Sequence, residues 1–326
     1  MNSKGSSSRK KKRDASPAAP KTLTRRSGRV GFIGMGRMGG NMALSLLEKG
    51  WRLVVFDRDE KSKAGIVKAG AAGASSVPGL AAALKKPRVV WIMVPAGKPV
   101  DSVIAELLPV LEPGDLVIDG GNSFFQDSQR RERLLKRRGV HFLDVGTSGG
   151  VDGARRGACM MIGGEKRAFE QVELLFRDLC VKDGYGFVGG PGAGHFIKMV
   201  HNGIEYGMMA AIAEGLEVVK QVSGTFHIDL GEVAKVYAHG SIIESKLMTW
   251  TFESIKEEGF LEGIAGSVPK GETEDEMAFL EKMGGLTVLA AARKLRVASR
   301  KKPSFAGKLM AAMRNKFGGH AVKKKR

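Results

Sequence analysis

Six residues, GMGRMG at 34–39, stand between a short apolar run at 29–34 and a helical pattern that continues through Glu48 to a stop at Gly50. This order constrains the fold more than any other feature of the chain. A glycine-rich turn that leaves a buried strand and opens a helix belongs to a βαβ unit. In such a unit Gly34 makes the tight turn, Gly36 lets backbone approach a pyrophosphate, and Gly39 lets helix and strand pack closely, with helix N-terminal amides facing the phosphates. Met35, Arg37 and Met38 complete the candidate cradle.

The motif alone is weak, because glycine-rich turns are common. The next strand, WRLVVFD at 51–57, strengthens it by ending in Asp57, 23 residues after Gly34. A carboxylate there accepts hydrogen bonds from ribose hydroxyls and repels a 2′-phosphate, which favours NAD. Arg58 beside it is what a 2′-phosphate would seek, so NADP stays open, and an ordinary polar turn is the alternative for the pair.

Strand patterns at 88–95 and 115–119, with a helical pattern at 101–111 between them, continue the alternation and predict a parallel doubly wound sheet. Ligand loops then lie at the carboxyl ends of the strands. Val94, Pro95 and Ala96 follow one strand, and Asn122 follows another. Residues 141–157 are dense in glycine where a strand should end, and Ser148, Gly149 and Gly150 could cradle an anionic or polyhydroxylated substrate. A plain glycine-rich loop is the alternative.

After Gly194 strand signals largely vanish. Residues 195–223 predict one long helix, followed by shorter ones. The expected fold is therefore an α/β Rossmann-type doubly wound sheet over 29–194 and an all-helical C-terminal domain over 195–320. Basic tails at 1–28 and 321–326 flank them.

The segment GHFIKMVHNGIEYG, 194–207, carries the candidate chemistry. Lys198, His201, Asn202 and Glu205 fall at offsets 0, 3, 4 and 7, which is one face of a helix. Such a stripe is usually a solvated face. Here Ile197, Met199, Val200 and Ile204 should bury the flanks, and a shielded Lys and Glu two turns apart form a candidate proton-transfer pair.

The net charge of +19 is mostly in the tails. Residues 1–30 hold ten Lys and Arg against one Asp, and 321–326 hold four basic residues and no acid, together +13. The first of these runs has the composition of a disordered tail, and any nucleic-acid contact through the tails should be non-specific and salt-sensitive. An organelle transit peptide is the minor alternative, since no amphipathic stripe accompanies the basic run. No apolar run reaches the ~20 residues of a membrane span. Two cysteines, Cys159 and Cys180, suit free structural thiols in a reducing compartment, and a cytoplasmic location is expected.

With GMGRMG, the GGNS at 120–123, the SGG at 148–150 followed by GAR, the KMVHNGIEY at 198–206 and the RNKFGGH at 314–320, the chain resembles 6-phosphogluconate dehydrogenases of the short-chain form over residues 29–322. The resemblance implies oxidative decarboxylation of 6-phosphogluconate to ribulose 5-phosphate in the pentose phosphate pathway, with NAD or NADP as hydride acceptor and no metal. Lys198 would be the base and Glu205 the acid. Asn122, Ser148, Gly149, Gly150, His201 and Asn202 would hold the substrate. Tyr206 and Arg296 would hold its phosphate, helped by Arg314 and His320 from the neighbouring subunit of a homodimer or tetramer. One stretch departs from the family. KGETEDEM at 270–277 puts four acids where the family usually sets a cation and a Thr on the phosphate. These acids would repel a phosphate unless Lys270 and Thr273 are repositioned toward it, or the loop turns away to solvent. A dehydrogenase for another, non-phosphorylated β-hydroxy acid is the sibling alternative. A non-catalytic NAD-binding scaffold with polyanion-binding tails is the alternative outside enzymes, and the presence of both Lys198 and Glu205 argues against it.

Overall fold

The computed structural model describes residues 22–25 and 29–324. The first half-sheet comprises β1 (Arg29–Ile33), α1 (Arg37–Glu48), β2 (Arg52–Phe56), α2 (Glu60–Lys68), β3 (Ala72–Gly73) and α3 (Val77–Ala82). The second comprises β4 (Val89–Ile92), α4 (Lys98–Leu107), β5 (Leu116–Asp119), α5 (Phe125–Lys136), β6 (His141–Ser148), α6 (Gly150–Arg156), β7 (Ala158–Gly164), α7 (Lys166–Leu179) and β8 (Cys180–Gly189). Helices then follow alone: α8 (Ala193–Phe226), α9 (Leu230–Tyr237), α10 (Lys246–Lys256), α11 (Glu272–Lys282), α12 (Thr287–Ser299) and α13 (Phe305–Gly318).

The eight strands lie in the order β3-β2-β1-β4-β5-β6-β7-β8. The reversal of direction between β1 and β4 makes the switch point where a doubly wound sheet binds its ligand. Both faces of this sheet are covered, so its strands are apolar on both sides. In β4, Val89 and Trp91 join the core on one face and Val90 and Ile92 the core on the other, with Trp91 stacked 5.6 Å from Phe32. The sheet is not wholly parallel as expected: β7 runs antiparallel to β6, and β8 extends it beyond the strands legible in sequence.

Helix α8 is 34 residues, about 51 Å at 1.5 Å per residue, and joins the two halves of the molecule. Asp144 of β6 caps its start from across the sheet, accepting the amides of Gly192 (2.7 Å) and His195 (2.9 Å). Gly194 permits this close approach: a Cβ there would lie 2.2 Å from the Asp144 carbonyl. Farther along, Met209, Ala210, Ala213 and Leu216 enter a separate helical core with Leu309, Met310 and Met313 of α13.

Three expectations are corrected. Within the expected tail, Leu23 packs on the sheet core and Arg25 pairs with Asp178 at 2.7 Å, so residues 22–25 are docked; residues 1–21 and 26–28 lie outside the described part. Ile197 and Ile204 do not bury the flanks of the α8 stripe but are exposed, while Met199 is buried. Both thiols are free, but Cys159 is exposed.

Candidate active site

The polar stripe of α8 faces the protein. Lys198 and Asn202 are buried, 9% and 5% exposed, because the helix crosses the end of the sheet: Gly146 of β6 would drive a Cβ to 2.4 Å from the Lys198 Cβ. Lys198 Nζ lies 3.2 Å from His201 Nδ1, His201 Nε2 lies 3.1 Å from Ser148 Oγ, and Glu205 Oε2 lies 3.7 Å from His201 Nδ1. Four of the residues expected to act together are therefore in one chain of contacts.

Burial sets their protonation. Desolvation lowers the Lys198 ammonium below the usual lysine range, against the pull of Glu205 and Glu276. Desolvation raises the Glu205 carboxyl, opposed by Lys198 and Arg314. His201 falls to about 4, first through burial and then through Lys198, so its ring is neutral near pH 7. Burial thus shifts the amine toward its free form and the carboxyl toward its protonated form, the directions a general base and a general acid need.

The fingerprint fits a dinucleotide. Gly34 has φ +97°, and a Cβ on Gly39 would strike the Gly34 carbonyl at 1.9 Å, whereas a Cβ on Gly36 would meet nothing within 4 Å. The turn is thus closed against the helix and open outward at Gly36, the N-cap of α1, which has no side-chain cap of its own. Asp57 Oδ2 accepts the Met35 amide at 2.5 Å, fixing the carboxylate beside the turn. Arg58 is exposed and reaches Glu106 at 3.8 Å. Arg37 donates to the Gly318 carbonyl at 2.8 Å, tying the fingerprint to the end of α13.

The loops after β4 and β5 are joined by a residue that sequence reasoning missed. Arg131, fully buried, donates to the Gly97 carbonyl (3.1 Å), Asp119 (3.1 Å), Ser123 (3.0 Å) and Asp101 (2.8 Å). Val94, Pro95, Ala96 and Asn122 flank this knot. His195, also missed, ties the same region to α8 through the Gly121 carbonyl (3.1 Å) and Ser128 (2.7 Å).

The wall expected to bind phosphate is differently made. The acidic stretch is helix α11 rather than a loop turned to solvent. Glu276 accepts from Asn122 (2.8 Å) and Asn202 (2.9 Å), inside the site. Buried Glu274 pairs with Arg300 at 2.9 Å and Arg296 at 3.5 Å, and Lys270 pairs with Asp275 at 3.1 Å. Arg296 donates to Thr273 and to the Pro269 carbonyl, both at 2.9 Å. Arg314 donates to Tyr206 at 2.8 Å and to the same carbonyl at 3.1 Å.

Arg314 therefore meets the Tyr206 of its own chain. His320 also closes on its own chain, 5.8 Å from the Phe317 ring, and partial desolvation and then Arg314, Arg37 and Arg296 push its ring below the usual histidine range. Gly149 turns the chain into α6, but Gly150 is covered by the end of α13: a Cβ there would lie 2.1 Å from the Phe317 carbonyl.

Residues 29–186 match the family model described as the NAD binding domain of 6-phosphogluconate dehydrogenase, and residues 194–227 match that of its C-terminal domain. YqeC of Bacillus subtilis is 42% identical over 300 residues, 91% of this chain and 100% of that protein. An NAD(+)-dependent, decarboxylating 6-phosphogluconate dehydrogenase of Haloferax volcanii is 36% identical over 91% of this chain and 99% of its own length. Longer relatives, such as the decarboxylating enzyme of Synechococcus elongatus, share 40% over 49% of their length. Among solved structures, 6-phosphogluconate dehydrogenase of Plasmodium falciparum, solved also with NADP+ and with 6-phosphogluconate, matches with a TM-score of 0.77 and 30% identity over 84% of this chain and 62% of that one. A 3-hydroxyisobutyrate dehydrogenase of Mycobacterium tuberculosis, at 20% identity and a TM-score of 0.65, shares the fold.

Proposed function

The chain belongs to the 6-phosphogluconate dehydrogenase family of NAD(P)-dependent oxidoreductases, and from this premise we propose that it oxidises and decarboxylates a β-hydroxy sugar acid. The family implies 6-phosphogluconate as that acid, with ribulose 5-phosphate and carbon dioxide as products. The observation that carries the proposal is the pairing of a desolvated Lys198 with a desolvated Glu205 on one buried face of α8.

Lys198, as a free amine, takes the proton of the C3 hydroxyl. A dinucleotide held by the 34–39 turn and Asp57 would supply the acceptor for the hydride that leaves C3. Lys198, now an ammonium, returns its proton to the C3 ketone oxygen as the C1–C2 bond breaks and carbon dioxide leaves. Glu205 then protonates the resulting enediol at its terminal carbon while the Lys198 amine takes back the proton of the C3 enol hydroxyl, and the ketose forms. Neutral His201, between Lys198 and Ser148, keeps the amine oriented as its hydrogen-bond partner. Asp57 supports NAD as the preferred acceptor, because a carboxylate fixed beside the Met35 amide repels a 2′-phosphate.

A second copy is the proposed partner. Ile204, Met208, Val218 and Phe226 leave α8 with an exposed apolar stripe, which pairing of two copies would cover. A second reading of the substrate, a sugar acid without phosphate, is favoured by the internal partners that Arg296 and Arg314 already have. The test is NADH formation and carbon dioxide release from 6-phosphogluconate and from gluconate, with NAD and with NADP. Turnover that Lys198→Ala abolishes is expected; wild-type protein inert toward both acids with both cofactors would sink the proposal.

A further inference from the structure

His195 stands in the first turn of α8, one turn before Lys198, and takes no part in the reaction above. It is 2% exposed, and both nitrogens of its ring are engaged. Nε2 lies 3.1 Å from the Gly121 carbonyl oxygen, and Nδ1 lies 2.7 Å from Ser128 Oγ. A carbonyl can only accept, so Nε2 carries a hydrogen and donates it to Gly121. The Asp144 carboxylate, 3.9 Å from Nδ1, is already taken by the amides of Gly192 and of His195 itself. A ring enclosed in this way does not reach a substrate. It holds other groups in place.

What it holds is the loop after β5. Gly121 precedes Asn122, and Arg131 of α5 fixes the same loop through Asp119 and Ser123. Lys198 is fixed to β6 instead, where Asp144 caps its helix and Gly146 lets its Cβ pack against the strand. Two ties run from α8 to the loop. One is direct, from His195 to Gly121. The other passes through Glu276, which accepts from both Asn122 and Asn202. The second tie is made of the amides assigned to the substrate, so a bound acid competes with it. The first is buried out of the substrate's reach.

We propose that His195 is a positioning residue: its bond to the Gly121 carbonyl sets the distance between Asn122 and Lys198, and keeps it when a bound acid takes the Asn122 and Asn202 amides from Glu276. The proposal rests on the catalytic reading above. A base and a substrate-holding amide on separate elements have to stay in register, and a misplacement of about 1 Å costs about a hundredfold in rate. Phe196 packs edge-on against Phe125, with ring centres 5.3 Å apart, and keeps α8 on α5 without His195. Replacing His195 therefore changes register rather than fold.

The test compares full-length wild type with three variants. His195→Leu loses both ring bonds, His195→Gln keeps an amide that can donate to Gly121, and Leu175→Ala costs stability through a cavity in the core under α7. With the acid that wild type turns over, kcat is expected to fall about a hundredfold in His195→Leu and to stay within about fivefold of wild type in the other two. A His195→Leu kcat within about fivefold of wild type, or a loss matched by either of the other variants, overturns the proposal. Should His195→Leu not fold, His195→Asn, whose shorter amide can reach Ser128 but not Gly121, takes its place with the same expectation. Should wild type turn over neither acid, the catalytic reading fails by itself. Hydrogen exchange over 119–124 in the NADH-loaded proteins then decides the role of His195. Faster exchange in His195→Leu alone upholds the tie; equal exchange in all four proteins, or faster exchange in Leu175→Ala as well, overturns it.

Discussion

The two walls of the cleft satisfy their polar groups in opposite ways. On α8, Lys198 and Glu205 sit 3.2 and 3.7 Å from His201, and burial shifts each of the three toward its uncharged form. On the opposite wall, Arg296 and Arg314 are joined to Thr273, to the Pro269 carbonyl and, across the cleft, to Tyr206 of α8 at 2.8–3.1 Å, and Glu274 anchors Arg300 at 2.9 Å. The first wall keeps groups unsettled and ready to exchange protons. The second has the character of a structural network, in which charge stabilises the fold. Substitutions on the first wall should therefore change rates, and those on the second should change stability.

The largest effect expected is from Lys198→Ala. Loss of the base should lower kcat by about a thousandfold, within the range for general acid–base groups, without loss of stability, because a desolvated amine is removed. Stopped-flow NADH formation and chemical denaturation measure the two halves. Glu274→Gln should do the reverse. It leaves Arg296 and Arg300 without their buried anion and should cost about 3 kcal/mol of stability, while kcat falls by less than tenfold. A large kcat loss with unchanged stability would place Glu274 with the reactive wall and end the contrast.

The reactive wall was legible in sequence and the structural one was not, for a physical reason. Lys198, His201, Asn202 and Glu205 belong to one helix, so spacing alone brings them together. The fingerprint is local in the same sense. Asn122 and Glu276, by contrast, are 154 residues apart, and nothing near either one marks the contact. Asp144 caps a helix 48 residues later, and Arg131 lies in a polar run that reads as an exposed helix although its side chain is fully buried. The acids at 272–276 were visible as a departure from the family, but their alternatives were repulsion or exposure. The structure instead gives Glu274 and Glu276 opposite duties, one on the arginines and one on the two amides. Position relative to other elements, not composition, decided between them.

His201 offers a smaller effect that tests the reactive wall through stability. Its folded-state pKa, about 4, lies below the ordinary 6.5. The unfolded chain therefore takes up a proton between pH 6.5 and pH 4 that the folded chain refuses. Stability from the neutral ring is complete above pH 6.5 and declines toward pH 4. For a ring about one-third exposed, solvent screening reduces the loss to about 2 kcal/mol. His201→Gln should flatten that decline, seen as denaturation midpoints that depend less on pH. An unchanged slope would mean that His201 titrates as it does in water.

The smallest effect separates the walls most directly, because it reads the field at Lys198 itself. Carboxylates at Glu205 and Glu276 favour the ammonium form, while burial opposes it. Replacing Glu276 with Gln removes one of the two attractions and leaves the burial in place. The amine should then lose its proton at lower pH, and the acid limb of kcat/KM, measured with the sugar acid that the wild type turns over, should move down, changing the rate at any one pH by less than about tenfold. Glu205→Gln should move the limb the same way at a lower plateau, since it also removes the proton donor for the enediol. Glu274→Gln should leave the limb in place, because Glu274 is engaged by Arg296 and Arg300 rather than by Lys198. A limb that moves up with Glu276→Gln, or moves equally with Glu274→Gln, would mean that Lys198 does not titrate in the field of its own wall, and the division of the cleft into a reactive and a structural side would fail at its central residue.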